Sequence, residues 1–138
     1  MPKINYGINE KTMLSGLANA KAKKLREINE KCDVMLKALT ATYPDVELLT
    51  FDQQKEEAKA HQNDPTADCP LLAPLAVARG ISLDDLCNRV LLKATAFSAA
   101  SGAIIGQRQA MEDILDICTT SAEVQAIEVS YTMPGVSE

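Results

Sequence analysis

The stretch Thr40–Ala58, TATYPDVELLTFDQQKEEA, decides how the rest of the chain is read. Pro44 pushes Tyr43 out of the helical region, so any helix arriving from the N-terminal side stops there. Asp45 begins an acidic turn. Thr50 then stands where a helix cap belongs, with Gln53 three residues on as its reciprocal partner and Asp52 suited to the positive helix end. The stretch holds no Cys, no His and no glycine-rich loop. It reads as a corner between helices rather than as a site of chemistry.

Outward from this corner lie two long apolar seams. On the N-terminal side, Leu14, Ala18, Lys21, Leu25, Ile28, Cys32, Met35 and Leu39 recur at alternating spacings of four and three. This predicts a coiled-coil-like helix over about Thr12–Thr42, flawed at Lys21. On the C-terminal side the same spacing runs through Leu83, Cys87, Val90, Ala94, Phe97, Ser101, Ile104, Arg108, Met111, Leu115 and Cys118. This predicts the longest helix, about Leu83–Cys118, opened by Ser82 with Asp85 and flawed at Arg108.

Between the seams, FDQQKEEAKAHQ is a mostly polar helix with one narrow buried side. NDPTADCPLLAP, with three prolines, is an ordered loop. A short helix then runs into Arg79 and stops at Gly80, a left-handed cap. Thr120 with Glu123 opens a last helix, SAEVQAIEV. The expected fold is all-α: a long antiparallel helical hairpin with short additional helices. It consists of an N-terminal arm over 1–11, one helical domain over 12–130 and a loose end over 131–138. The same seams could instead pair between chains, making a homo-oligomer.

Composition supports the helical class. Aromatic residues are 4% of 138, there is no Trp, and Ala, Leu, Lys and Glu are abundant. The net charge of −5, with both signs interspersed, argues against nucleic acid as a partner. The basic cluster Lys21–Arg26, KAKKLR, is followed at once by Glu27 and Glu30 and reads as a solvated face. The first residues lack the apolar run of a signal peptide. The most apolar window, Val90–Gly106, falls short of the roughly 20 residues that span a bilayer and contains Lys93. A soluble protein without a membrane partner is the expectation.

The residues offer little chemistry. Cys32, Cys69, Cys87 and Cys118 are scattered without a C-x-x-C pair, and His61 stands alone, so neither a metal nor another cofactor is expected. His61 and Cys69 are near enough in sequence to raise a thiol–imidazole pair, but such a pair needs fixed geometry and an orienting third group. Cys32, Cys87 and Cys118 fall on the seams, where Cys acts as a small hydrophobe. The acidic pairs Asp84–Asp85 and Glu112–Asp113 read as charge balance. A candidate interaction face is built from Ala99, Gly102, Ala103, Gly106 and Ala110. Two glycines inside a helix cost stability, so either another helix or a partner approaches closely there or the long helix bends.

The segments ATYPDVELLTFDQQKEEA, LAVARGISLDDLCNRVL and GAIIGQRQAMEDILD resemble a helical family encoded by tailed bacteriophages and prophages. Its members are linked to tail or tail-fibre proteins. The resemblance spans roughly Ala18–Ile127 and is carried by Tyr43-Pro44, Thr50-Phe51, Arg79-Gly80 and Gly106 with Arg108-Gln109. It implies a non-enzymatic structural or assembly role with a phage tail or tail-fibre protein as partner, in the host bacterial cytoplasm during assembly or in the virion tail. It transfers no catalytic residue. A helical adaptor binding a host protein through the basic cluster and the polar helix is the alternative, and a thiol enzyme using Cys69 and His61 is a third reading.

Overall fold

The computed structural model describes residues 2–134, with side chains from Leu14 onward. The fold is all-α, with six helices among the described residues: α1 (Pro2–Ala38), α2 (Asp45–Leu48), α3 (Phe51–Asn63), α4 (Leu72–Arg79), α5 (Leu83–Ile117) and α6 (Ser121–Gln125). At 1.5 Å per residue α5 is about 50 Å long. α1 begins at Pro2, a residue suited to a first helical turn because it lacks an N–H that would go unpaired. The chain divides into two compact units.

One unit comprises residues 1–38 and 102–138. Ile28 of α1 packs with Met111 and Leu115 of α5, Cys118 and Val124. Leu17, Ala20 and Leu25 close the core from α1. The helices run antiparallel here, because Lys21 Nζ donates to the Asp116 carbonyl and Arg108 donates to Asn29 Oδ1, at 3.2 and 3.1 Å. Two flaws in the seams are thus put to use: Lys21 and Arg108 lie at the edge of the pairing, where each finds an acceptor. The short helices α2, α3 and α4 lie between the two arms of this pair in sequence.

After α6 the chain is extended. Ile127, Val129 and Tyr131, two residues apart, turn toward the core while their neighbours face water. Lys24 and Lys31 donate to the Ile127 and Val129 carbonyls at 2.9 and 3.3 Å. Gln107 meets Thr132 with both ends of its amide: Nε2 donates to the Thr132 carbonyl and Oε1 accepts from the Thr132 N–H, at 3.0 and 2.8 Å. Tyr131 donates its hydroxyl to the Ile28 carbonyl at 2.7 Å. The expected helix SAEVQAIEV therefore ends early, and Tyr131 and Thr132 are anchored rather than loose. Residues 135–138 lie outside the described residues. The sequence signal was the two-residue alternation after Val124, which suits an extended strap better than a helix.

The other unit comprises residues 39–101. Ala58, Cys69, Leu72, Ala76, Leu86 and Cys87 form its core, with Ile81, Leu83, Val90 and Leu91 packed around them. The opening corner is held by aromatics: the Tyr43 and Phe51 rings meet edge-to-face, with centroids 5.1 Å apart. Lys93, which interrupts the apolar run of α5, places its ammonium 5.0 Å from the Tyr43 ring centroid. Thr50 does not cap α3. Its backbone is already helical (φ −96°, ψ −5°), and its hydroxyl donates to the Glu47 carbonyl. A capping side chain needs an extended backbone at that residue, and the short α2 just upstream removes it.

The buried carboxylate of Glu57, on α3, caps α4 from a distance. Its oxygens accept from the Leu71 and Leu72 N–H groups at 2.9–3.2 Å and from Gln53 at 2.7 Å. A negative charge at a helix N-terminus is favourable, and these donors have no other partner inside the helix. At the other end of α4, Gly80 adopts φ 74°, and the Ile81 N–H reaches back to the Ala76 carbonyl at 3.1 Å. This left-handed stop also delivers Ile81 into the core.

Replacing Glu57 by Ala strands two backbone donors, and chemical denaturation is expected to show a loss of about 1–3 kcal/mol. In the first unit, burial, followed by Cys32, pushes the Tyr131 hydroxyl up to about 12 from an ordinary 10.0. Above that ordinary value the unfolded chain gives up this proton while the folded chain keeps it. The stability contributed is complete below about pH 10 and declines as pH climbs toward 12. Burial raises the Cys69 and Cys87 thiols too, and they add a decline of the same sign beginning near their ordinary 9.0. Melting temperatures of Tyr131→Phe against the parent should therefore differ in slope above pH 10 and agree in the slope below it.

Candidate interaction face

The residues singled out for chemistry are occupied by structural bonds. His61 is buried and its Nε2 pairs with the Asp84 carboxylate at the start of α5. Its Nδ1 is buried without a hydrogen-bond partner. Cys69 does not pair with it: the thiol donates weakly to the Glu57 and Ala67 carbonyls, both at 3.8 Å. Burial pushes the Cys69 thiol up, and the nearby negative charges of Glu57 and Asp68 push in the same direction. A nucleophilic thiol needs the opposite environment, a neighbouring positive charge or a helix N-terminus. All four cysteines are free and buried. Among the described residues no cluster of three His, Cys, Asp or Glu side chains could hold a metal ion. Nor is the basic cluster wholly a solvated face, because Lys21 and Lys24 are spent on backbone carbonyls while Lys23 and Arg26 remain exposed.

The face built from Ala99, Gly102, Ala103, Gly106 and Ala110 is exposed throughout. No helix of this chain approaches it: a Cβ added at Gly102 or Gly106 would meet nothing within 4 Å. The glycines therefore do not mark a close contact inside the chain.

The exposed surface is wider than the small residues. Leu92 and Ile117, at either end of the same helix side, are 73% and 77% exposed, and Ile114 is 51% exposed. Leu92, Ala96, Ala99, Ala103, Gly106 and Ala110 follow a second four–three spacing that runs on through Asp113 to Ile117, roughly opposite the buried seam. The sequence held this signal, but the larger residues of the first seam masked it. An 18-residue window of α5 has mean hydropathy 1.2 and is only 6% buried. By length and composition alone α5 is able to cross a membrane, although Ile104, Met111 and Leu115 of the same helix belong to a protein core.

Because the face is open, alanine at Gly102 or Gly106 gains helix propensity without a clash. Each substitution is expected to stabilise the chain by about 0.8–1.0 kcal/mol in urea denaturation of the dilute protein. Under the same conditions Gly106→Leu should sit close to Gly106→Ala, without the penalty of overpacking. A leucine variant clearly less stable than the alanine variant at high dilution would show a contact within the chain.

Residues 92–129 match the family model described as HI1402 helical domain. They cover the exposed part of α5, all of α6 and the strap through Val129. A curated relative from Haemophilus influenzae, described as an uncharacterized protein, is 38% identical over 58 residues; the match covers 85% of the relative and 42% of this chain. No solved structure matches. Neither description names a phage or a tail protein. The extent of the relative that is covered, together with the family match, places the chain by descent: it belongs to the HI1402 helical domain family.

Proposed function

We propose that this protein is a non-enzymatic helical assembly module that works through protein–protein contacts along the exposed side of α5. The observation that carries the reading is a long apolar helix face left uncovered while the opposite seam of the same helix builds core. Soluble proteins seldom leave a contiguous apolar surface open unless something binds there. The family match begins at Leu92, where this face begins. Resemblance to phage-encoded helical proteins supplies the setting: a tail or tail-fibre protein as partner, met in the host bacterial cytoplasm during assembly or in the virion tail.

The alternative, an adaptor docking a host protein through the basic cluster and α3, is less favoured because Lys21, Lys24, Glu57 and His61 are engaged in internal bonds. Co-expression with a phage tail or tail-fibre protein and sedimentation of the assembled particles tests the proposal. The parent chain should co-sediment, and Ala103→Glu should abolish this with its melting temperature unchanged, since Ala103 is exposed. Retention of the Glu variant in the particles would remove α5 from the binding surface.

A further inference from the structure

We infer that the groove between α1 and the second half of α5 is an acceptor site for an extended segment of another chain, and that the strap fills it as an internal stand-in. The segment it takes carries apolar side chains at three alternate positions, the last of them a tyrosine. This surface lies apart from the exposed side of α5, so it stands or falls independently of the assembly role.

Two kinds of contact hold the strap, and together they read an extended chain. Ile127, Val129 and Tyr131 pack against the core on alternate residues. The polar contacts go mainly to the backbone of the strap: Lys24 and Lys31 donate to the Ile127 and Val129 carbonyls, and Gln107 both donates to and accepts from the Thr132 backbone. Backbone bonds of this kind demand extended geometry and accept any side chain, while the alternate apolar positions supply selectivity. Tyr131 adds a polar check at the aromatic position, its hydroxyl donating to the Ile28 carbonyl at 2.7 Å.

The receiving groups have anchors that do not involve the strap. Glu27 pairs with both Lys24 and Lys31, at 3.8 and 3.1 Å, and so holds the two ammoniums along one side of the groove. Gln107 Nε2 also donates to the Ala103 carbonyl of its own helix, at 3.2 Å. Groups positioned in advance lose little freedom on taking a segment. The strap itself is lightly held. Among the described residues no backbone-to-backbone hydrogen bond engages residues 128–134. Ile127, Val129 and Tyr131 are each only partly buried, whereas Val124 of α6 is 1% exposed. α6 is thus anchored ahead of the segment that has to lift away.

A fluorescein-labelled peptide of residues 126–134, AIEVSYTMP, titrated with the full chain and followed by anisotropy, tests this. In the parent the tethered strap competes with the peptide at high local concentration. A full-length chain carrying Val129→Ser and Tyr131→Ala should therefore bind the peptide about tenfold or more tighter than the parent does. The same peptide with Ile127→Ser, Val129→Ser and Tyr131→Ser should not bind, and adding Gln107→Ala to the weakened chain should lower its affinity about fivefold. In the isotope-labelled parent, excess unlabelled peptide should speed hydrogen exchange of the Thr132 amide and leave α1 unchanged, a readout that does not depend on the weakened chain folding. Equal affinities of parent and weakened chain, or binding of the serine-substituted peptide, overturn the inference. So does an absence of binding to a weakened chain that keeps its helical circular dichroism. Peptide binding that leaves Thr132 exchange unaltered overturns it as well, because the peptide then sits elsewhere.

Discussion

Helix α5 has to serve as a wall for two cores at once, and most of the remaining structure follows from that obligation. Leu86 and Cys87 near its start close one core, and Met111 and Leu115 farther on close the other. A helix that satisfies both needs a long uninterrupted run of apolar residues. It therefore carries few charges over its middle stretch and has little polar surface to spend on its free side. Alanine and glycine are the economical choice there. They expose less apolar area than leucine or isoleucine, which limits the cost of leaving the face in water. The price is two glycines of low helix propensity, for which nothing inside the chain compensates.

Short helices around α5 are defined by how their ends are satisfied. Four different solutions appear: Glu57 reaching across from α3 to α4, the left-handed Gly80, the Ser82 hydroxyl accepting from Asp85 N–H at 3.0 Å, and the reciprocal Thr120–Glu123 box. Helices as short as α4 and α6 gain little from propensity, so caps and packing decide whether they form. Glu57 does both tasks. Its carboxylate ends α4, and its neighbour Ala58 is fully buried in the same core. Burial first, and then the nearby charge of Glu57, push the Cys69 thiol up.

In the first unit the extended strap takes the place of another helix. α1 and the second half of α5 leave a groove that Ile127, Val129 and Tyr131 fill on alternate residues. An extended chain has no internal hydrogen bonds, so its polar groups must find outside partners. Lys24, Lys31 and Gln107 supply them, the last by pairing with Thr132 much as a neighbouring strand would. The family match ends at Val129, so it includes the beginning of this strap.

Local chemistry in the sequence determined the helical class, the left-handed stop at Gly80, the Ser82 and Thr120 caps and the middle of both buried seams, whereas Leu14 and Phe97 of those seams are 68% and 43% exposed. These depend on residues within a turn or two of one another, which a sequence displays directly. The failure at Thr50 shows the limit. Thr50 with Gln53 and Thr120 with Glu123 carry the same capping pattern, yet only Thr120 has the extended backbone that a cap requires. What differs is the helix that immediately precedes Thr50. Tertiary structure alone assigned Glu57 to the end of α4, 14 and 15 residues away, and pinned Tyr131 to α1 across 103 residues. It also decided which side of α5 remains in solvent. Both of its four–three patterns are written in the sequence, but burial depends on where α1 and α3 come to rest, and that is set by the packing of distant side chains.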